Sequence, residues 1–143
     1  MTTSFTPQAI GQTEKALNAI LDRHLAGTGV REPQWVTLTL AVMSGGTLAR
    51  DELLARVVDS LKVTQVVAGE HVAALQAGGL FEPGESSTVR VSEAGQQLHK
   101  RVRTVNAEVT QRIWGDLPAE DLDTTGRVLG TILQRANAEL AGD

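Results

Sequence analysis

Few residues in this chain could do chemistry, and their spacing limits what that chemistry could be. Three histidines, His24, His71 and His99, stand far apart with no His-x₃-His pair, and cysteine is absent. That pattern supplies no zinc ligand set, no thiolate nucleophile and no disulfide, so neither a metal nor a cofactor is expected. There is no Gly-x-Ser-x-Gly elbow, no phosphate-binding glycine loop and no His-Glu-x-x-His run, and no enzyme is expected. Glu120, Asp121 and Asp123 cluster, but just after Pro118 they fall in the first turn of a helix, where acids suit the helix dipole. The densest positive run is HKRVR, residues 99–103, whose Val102 points inward while the charges form a solvated face. The stretch LKVTQVVAGEHVAALQAGGLFEPGESSTVRVSEAG, residues 61–95, has the cadence of a helix, a Gly-Gly stop, two short strands and a second helix start. It carries only Lys62 and Arg90 against Glu70, Glu82, Glu85 and Glu93.

A chain of 143 residues is long enough for one domain with a core and short for two. With 41% hydrophobic and 21% charged residues it has the composition of a folded globular protein. Two Phe, two Trp and no Tyr mean that the core is aliphatic. The net charge of −4 is spread evenly, with zero over residues 1–30, −2 over 31–92 and −2 over 93–143. No basic arm exists, so any grip on a polyanion depends on local charge placement. The start MTTSFTPQAIGQTEKAL has no charged segment followed by an apolar one, and no later run approaches a membrane span, which points to the cytoplasm.

The elements that would position these residues follow from hydrophobic spacing. Thr6 and Pro7 are a cap and a first helical position, and Ile10, Leu17, Ile20, Leu21 and Leu25 recur at helical spacing until AGTG. A second helix opens near Glu32-Pro33 and runs through Trp35, Leu38, Leu40, Val42 and Met43 to SGG. Leu53, Leu54, Val57, Val58 and Leu61 predict a third helix. A fourth spans about Thr64 to Ala77, with Val67, Val72 and Leu75 inward. Leu80-Phe81 and Thr88–Val91 predict two short strands around a Pro83-Gly84 turn. Ser92 then caps a long helix striped by Leu98, Val102, Val105, Val109 and Ile113. A last helix after Pro118 carries Leu122, Leu129, Leu133, Ala136 and Leu140.

Three compact helices followed by a β-hairpin predict a winged helix-turn-helix, mainly α with a small β-hairpin wing. The outer helices carry apolar faces that such a lobe has no room to bury, which predicts a homodimer. The expected organisation is an N-terminal dimerisation helix over residues 1–30, the winged lobe over 31–92 and C-terminal dimerisation helices over 93–143, in one intertwined domain.

Four stretches together resemble the multiple-antibiotic-resistance regulator (MarR) family of bacterial transcription factors, over nearly the whole chain. They are EPQWVTLTLAVMSGGTLARDELLARV (32–57), LQAGGLFEPG (75–84), VSEAGQQL (91–98) and DLPAEDLDTTGRVLGTIL (116–133). The resemblance implies a homodimeric regulator, usually a repressor, that reads a pseudo-palindromic double-stranded DNA site and responds to a small molecule. The reading head departs from the family pattern. Gln65, Val66, Val67, Gly69 and Glu70 stand where polar residues and an arginine are usual, Ala74 stands where a second basic residue is common, and the wing lacks its usual arginine.

On this frame Gln65 could bond an adenine edge, Thr64 a phosphate at the helix N-terminus, and Val66 and Val67 thymine methyl groups. Arg50, Arg56, Lys62 and Arg90 are candidate phosphate contacts; ordinary solvated surface charge is the alternative for each. The ligand region implied by the resemblance includes His24, Trp35, Leu38, His99 and Arg103, and would suit a small aromatic or carboxylate effector. There the alternative is that Trp35 is a core residue and His24 a surface one. A second function stays open beside the first. An apolar Val66-Val67 face and an acidic wing would also suit a winged-helix dimer that has lost sequence-specific DNA binding and serves as a protein-interaction module.

Overall fold

A computed structural model describes residues 4–83 and 87–142. The tip of the expected wing, Gly84 to Ser86, lies outside the described residues. Helix α1, Pro7–Leu25, starts where Thr6 Oγ1 accepts a hydrogen bond from the Ala9 amide at 3.0 Å and Pro7 supplies a preset φ. A turn held by Thr28, whose hydroxyl donates to the Leu25 carbonyl and accepts from the Val30 amide, leads to α2, Glu32–Met43. The Gln34 side chain folds back onto the Arg31 amide at 3.0 Å and satisfies a donor that the first turn of α2 leaves open.

Strand β1, Thr47–Ala49, precedes α3, Arg50–Leu61. Lys62 closes α3 in the left-handed region at φ 57°, and Thr64 caps α4, Gln65–Ala77, by accepting from the Val67 amide at 3.2 Å. Gly79, at φ 76°, turns the chain into β2, Phe81–Pro83, which pairs with β3, Thr88–Val91. The long α5, Glu93–Trp114, and α6, Ala119–Ala141, complete the chain.

The sheet corrects one expectation. It has three strands in the order β1-β3-β2, both pairings antiparallel, so the wing hairpin is extended by a strand ahead of α3. Thr47-Leu48 is too short to show an alternating pattern, and its partner lies about forty residues downstream, so only folding reveals the pair. The register sets Leu48 opposite Val89 and Phe81 opposite Val91, all buried, while Arg90 on the other face stands opposite Thr47 and Glu82.

The chain forms two compact units, one through Asn106 and one from Ala107 onward, with the division inside α5. In the first unit Leu21 and Leu25 of α1, Leu38 of α2, Leu53 and Val57 of α3, Val72 and Leu75 of α4, Phe81, Val89 and Leu98 belong to one hydrophobic core, mostly aliphatic. The end of α1 therefore belongs to the same core as the winged lobe, whatever its outer turns do. Val67, expected inward, is only half-buried, and Ala68 takes the fully buried place on α4.

A small latch fixes α5 to the end of α4. The buried Ser92 hydroxyl donates to the Gly79 carbonyl at 2.6 Å and accepts from the Gly95 amide at 3.0 Å. Its own amide donates to the Leu80 carbonyl at 2.9 Å. Gly95 sits so close that a Cβ there would run into the Leu80 carbonyl and lie 2.8 Å from Val91 Cγ1.

The second unit contains the end of α5, a turn in which the Leu117 amide donates to the Trp114 carbonyl, and α6. Val109 is buried, but α6 has no buried residue, and Val128, Leu129, Leu133 and Leu140 are exposed.

Candidate nucleic-acid interface and adjoining cleft

The residues expected to read DNA sit on the N-terminal half of α4. Thr64 and Gln65 are exposed at its start, Val66 is 73% exposed, and Val67 is half-buried against the lobe. The polar and apolar edges expected for base contact are therefore presented outward, apart from Val67. Position 69 is half-buried, and the Arg50 guanidinium reaches across to it. Arg50 Nη2 lies 3.5 Å from where a Cβ of residue 69 would sit. The backbone of Arg50 is also tied to the wing, its amide donating to the Ser87 carbonyl at 2.7 Å.

The other three expected phosphate contacts each have an acidic partner on the lobe itself. Arg56 Nη2 donates to Glu52 Oε1 at 2.7 Å, one helical turn away, and Nη1 donates to Ser44 Oγ at 2.6 Å. Lys62 Nζ meets Asp59 Oδ1 at 3.3 Å and donates to the Asp59 carbonyl at 2.7 Å. Arg90 points both Nε, at 2.6 Å, and Nη2 at Glu82 Oε2. All these groups are substantially solvent-exposed, so the pairs are weak and exchangeable. The spacing of Glu52-Arg56 and Asp59-Lys62 made the first two pairs readable in sequence. The third needs the β2–β3 register, which places Glu82 directly across from Arg90.

A further tie joins α2 to α4 and was not anticipated. Gln34 Oε1 is occupied by the Arg31 amide, so Nε2 donates to His71 Nδ1 at 2.9 Å. That fixes His71 as a hydrogen-bond acceptor at Nδ1. Position 71 gave no periodic or motif signal for this contact.

The residues expected around a ligand separate into two groups. Trp35 and His99 are both buried and stack, with centroids 4.9 Å apart and planes 16° off parallel. His99, together with Val42 of α2 and Gln96, Lys100 and Arg103 of α5, lines a cleft of about 480 Å³. Trp35 thus serves both as a core side chain and as the plate behind His99. Leu38 is fully buried in the core and His24 is half-buried on α1, and neither lines this cleft. His24 Nε2 is buried without a hydrogen-bond partner among the described residues. Burial, and secondarily the nearby Arg103 charge, lowers the His99 pKa below its ordinary 6.5. At neutral pH the cleft therefore offers an uncharged imidazole beside two cations, Lys100 and Arg103. The Lys100 contribution lay within the HKRVR run that reads in sequence as a solvated face.

Among the described residues no group of three His, Cys, Asp or Glu could hold a metal ion, and no helix is long and apolar enough to cross a membrane.

No protein-family model matches the sequence, and no curated protein matches it. Solved structures do. The MarR protein from Peptoclostridium difficile superposes with a TM-score of 0.78 at 13% identity, over 97% of this chain and 94% of that one. The reduced form of MarR from E. coli gives 0.70 at 16% identity, over 92% and 96%. CouR from Rhodococcus jostii, solved bound to p-coumaroyl-CoA, gives 0.74 at 15% identity, over 87% and 89%. At these identities the likeness is one of fold, and the chain has the MarR-like winged-helix fold.

Proposed function

We propose that this chain is a cytoplasmic, homodimeric transcriptional regulator, acting as a repressor, rather than an enzyme. It would read a pseudo-palindromic duplex with α4 of each protomer and release it when a small ligand binds. The observation that carries the reading is the exposed start of α4, Thr64-Gln65-Val66, displayed beside a β-wing in a MarR-like fold. A helix N-terminus presented outward in this motif is the part that contacts base edges in a major groove. Gln65 supplies the adenine-type contact, Val66 the methyl contact, and Thr64 with Arg50, Arg56, Lys62 and Arg90 the phosphate contacts.

Dimerisation is supported by α6, whose exposed Leu129, Leu133 and Leu140 share one face with Leu122 and Ala136 at helical spacing. The roles of residues 1–30 and 93–143 as dimerisation helices around the 31–92 lobe rest on that face, on Phe5, exposed just ahead of α1, and on Ile10, exposed near its start. For the effector, the cleft supports an anionic aromatic molecule, with Lys100 and Arg103 neutralising its charge and His99 taking one hydrogen bond. The ligand of the similarly folded CouR, an aromatic acyl-CoA, has that chemistry. His24 and Leu38 would contribute only if the cleft extends on dimerisation or ligand entry.

A second reading is favoured by two observations, the 73% exposure of Val66 and the carboxylate pairing of Arg56, Lys62 and Arg90. Under it the lobe has lost sequence-specific DNA binding and docks a protein. One titration separates the two. Labelled duplex from the DNA upstream of the chain's own gene is compared with a scrambled duplex at low and near-physiological salt, using wild type and Gln65→Ala. Selective binding that Gln65→Ala weakens about tenfold or more supports the regulator, since a bidentate base contact is worth roughly 1–3 kcal/mol. Equal, salt-labile binding to both duplexes, indifferent to Gln65, would transfer the case to the protein-interaction reading.

A further inference from the structure

The reading head carries its own counter-ions. Of the four cations offered as phosphate contacts, Arg56, Lys62 and Arg90 are each held by a carboxylate of the same lobe, Glu52, Asp59 and Glu82. Arg50 alone of the four has no carboxylate partner among the described residues. It lies over α4 at position 69, with its backbone bonded to the wing at Ser87. The acids are not diffuse surface charge. Glu82 stands in register across from Arg90 and takes two of its N–H donors, and Glu52 takes one Arg56 nitrogen while Ser44 takes the other.

We propose that Glu52, Asp59 and Glu82 are internal competitors for the phosphate backbone, which set the affinity and the salt threshold of the head, and that Arg50 is its standing phosphate contact. The inference rests on the DNA-binding reading above. A phosphate that engages Arg90 must first displace the Glu82 carboxylate, which takes up a cation from solution as the DNA sheds one, so the net release of counter-ions is offset. Exposed pairs of this kind are weak enough to open, but each one that must open subtracts from the gain of the contact that replaces it. Isosteric neutralisation of the acid frees the cation without removing it. In a homodimer one such change frees two cations, which should steepen the slope of log affinity against log salt by about 1.8 on double-stranded DNA. The opposite role is equally concrete. If Glu82 served to aim Arg90 at the duplex, its removal would weaken binding.

The test compares wild type with Glu82→Gln, Asp59→Asn, Arg50→Ala and Glu70→Gln on the upstream and scrambled fluorescein-labelled duplexes, across a salt series. Glu70 is exposed on α4 and has no ion-pair partner among the described residues, so its variant makes the same charge change without freeing a cation. The expected result is tighter binding and a steeper salt slope for Glu82→Gln and Asp59→Asn. Glu70→Gln should leave the slope as it is, and Arg50→Ala should lose the most affinity. Binding that appears only in the neutralised variants supports the same conclusion. If wild type binds while Glu82→Gln and Asp59→Asn leave the slope unchanged or weaken binding, the competitor role is overturned and DNA binding stands. If wild type and every variant ignore both duplexes, the DNA reading falls and the proposal with it. Melting temperatures equal to wild type establish that each variant is folded, as expected for exposed isosteric changes.

Discussion

Two glycines of the first unit should answer the same substitution with opposite signs. At Gly95, in the first turn of α5, a methyl group would collide with the Leu80 carbonyl and crowd Val91 Cγ1 at 2.8 Å. The colliding atom is backbone and cannot rotate away, and it accepts the Ser92 amide at 2.9 Å, so moving it also loosens that bond. Overpacking typically costs about 1–3 kcal/mol and a weakened hydrogen bond about 1 kcal/mol, against at most about 1 kcal/mol gained from alanine in a helix. The steric side wins, and Gly95→Ala should destabilise by about 2 kcal/mol. At roughly 3 °C per kcal/mol for a chain of this size, its melting temperature should fall by about 6 °C. At Gly69 the nearest atom to a new Cβ is Arg50 Nη2 at 3.5 Å, an ordinary contact with the end of a flexible side chain. There the helix propensity gain of about 1 kcal/mol is unopposed, and Gly69→Ala should raise the melting temperature by about 3 °C. Thermal denaturation followed by far-ultraviolet circular dichroism reads both. A Gly95→Ala protein as stable as wild type would refute the latch between Gly79, Leu80, Ser92 and α5 as described.

The remaining predictions concern charge and assembly. Because His99 has its pKa lowered in the folded state, its contribution is fully present above about pH 6.5, the ordinary histidine value. It is lost as pH falls below that value, levelling off once the lowered folded value is passed. Denaturant titrations between pH 8 and 5 should show a steeper acid loss for wild type than for His99→Gln, and parallel curves would remove His99 from the account. Glu32 has the reverse sign. Burial, and then Glu14 and Asp22, raise its pKa above 4.5, so the folded state disfavours its charge, a penalty that sets in as pH rises past 4.5 and is complete above the raised value. Glu32→Gln should therefore stabilise near pH 7 and make little difference near pH 3, as measured by urea midpoints. Finally, on the proposed homodimeric reading, wild type should scatter light as a particle of twice 15.2 kDa, and Leu129→Glu with Leu133→Glu should reduce it to one of 15.2 kDa. An unchanged mass would place the dimer contact elsewhere.

Helix existence and helix starts were legible in the sequence because their causes are local. Thr6-Pro7, Thr64 and Ser92 mark three of the helix starts by side-chain chemistry that acts within three residues. The stripe Leu98-Val102 faces the core as its spacing requires, and Val109 is buried one repeat later. The acid–base pairs of α3 and its exit were equally readable, since i,i+4 and i,i+3 neighbours meet on any helix.

Pairings between distant segments were not legible. Thr47–Ala49 becomes a strand only because β3 offers it an edge. Glu82 reaches Arg90 only because the hairpin register puts them opposite. His71 meets Gln34, and His99 stacks on Trp35, only because α2 packs against α4 and the start of α5 is latched to the same lobe. Leu38 carries no mark that distinguishes a cleft wall from a core residue, and burial alone decided it. By itself the sequence determined the helices, their caps and the acidic cast of the head, because propensity, capping and charge act along the chain. Tertiary structure decided the pairings between distant segments, such as Glu82 with Arg90, because these depend on register and on helix crossings that no local interaction specifies.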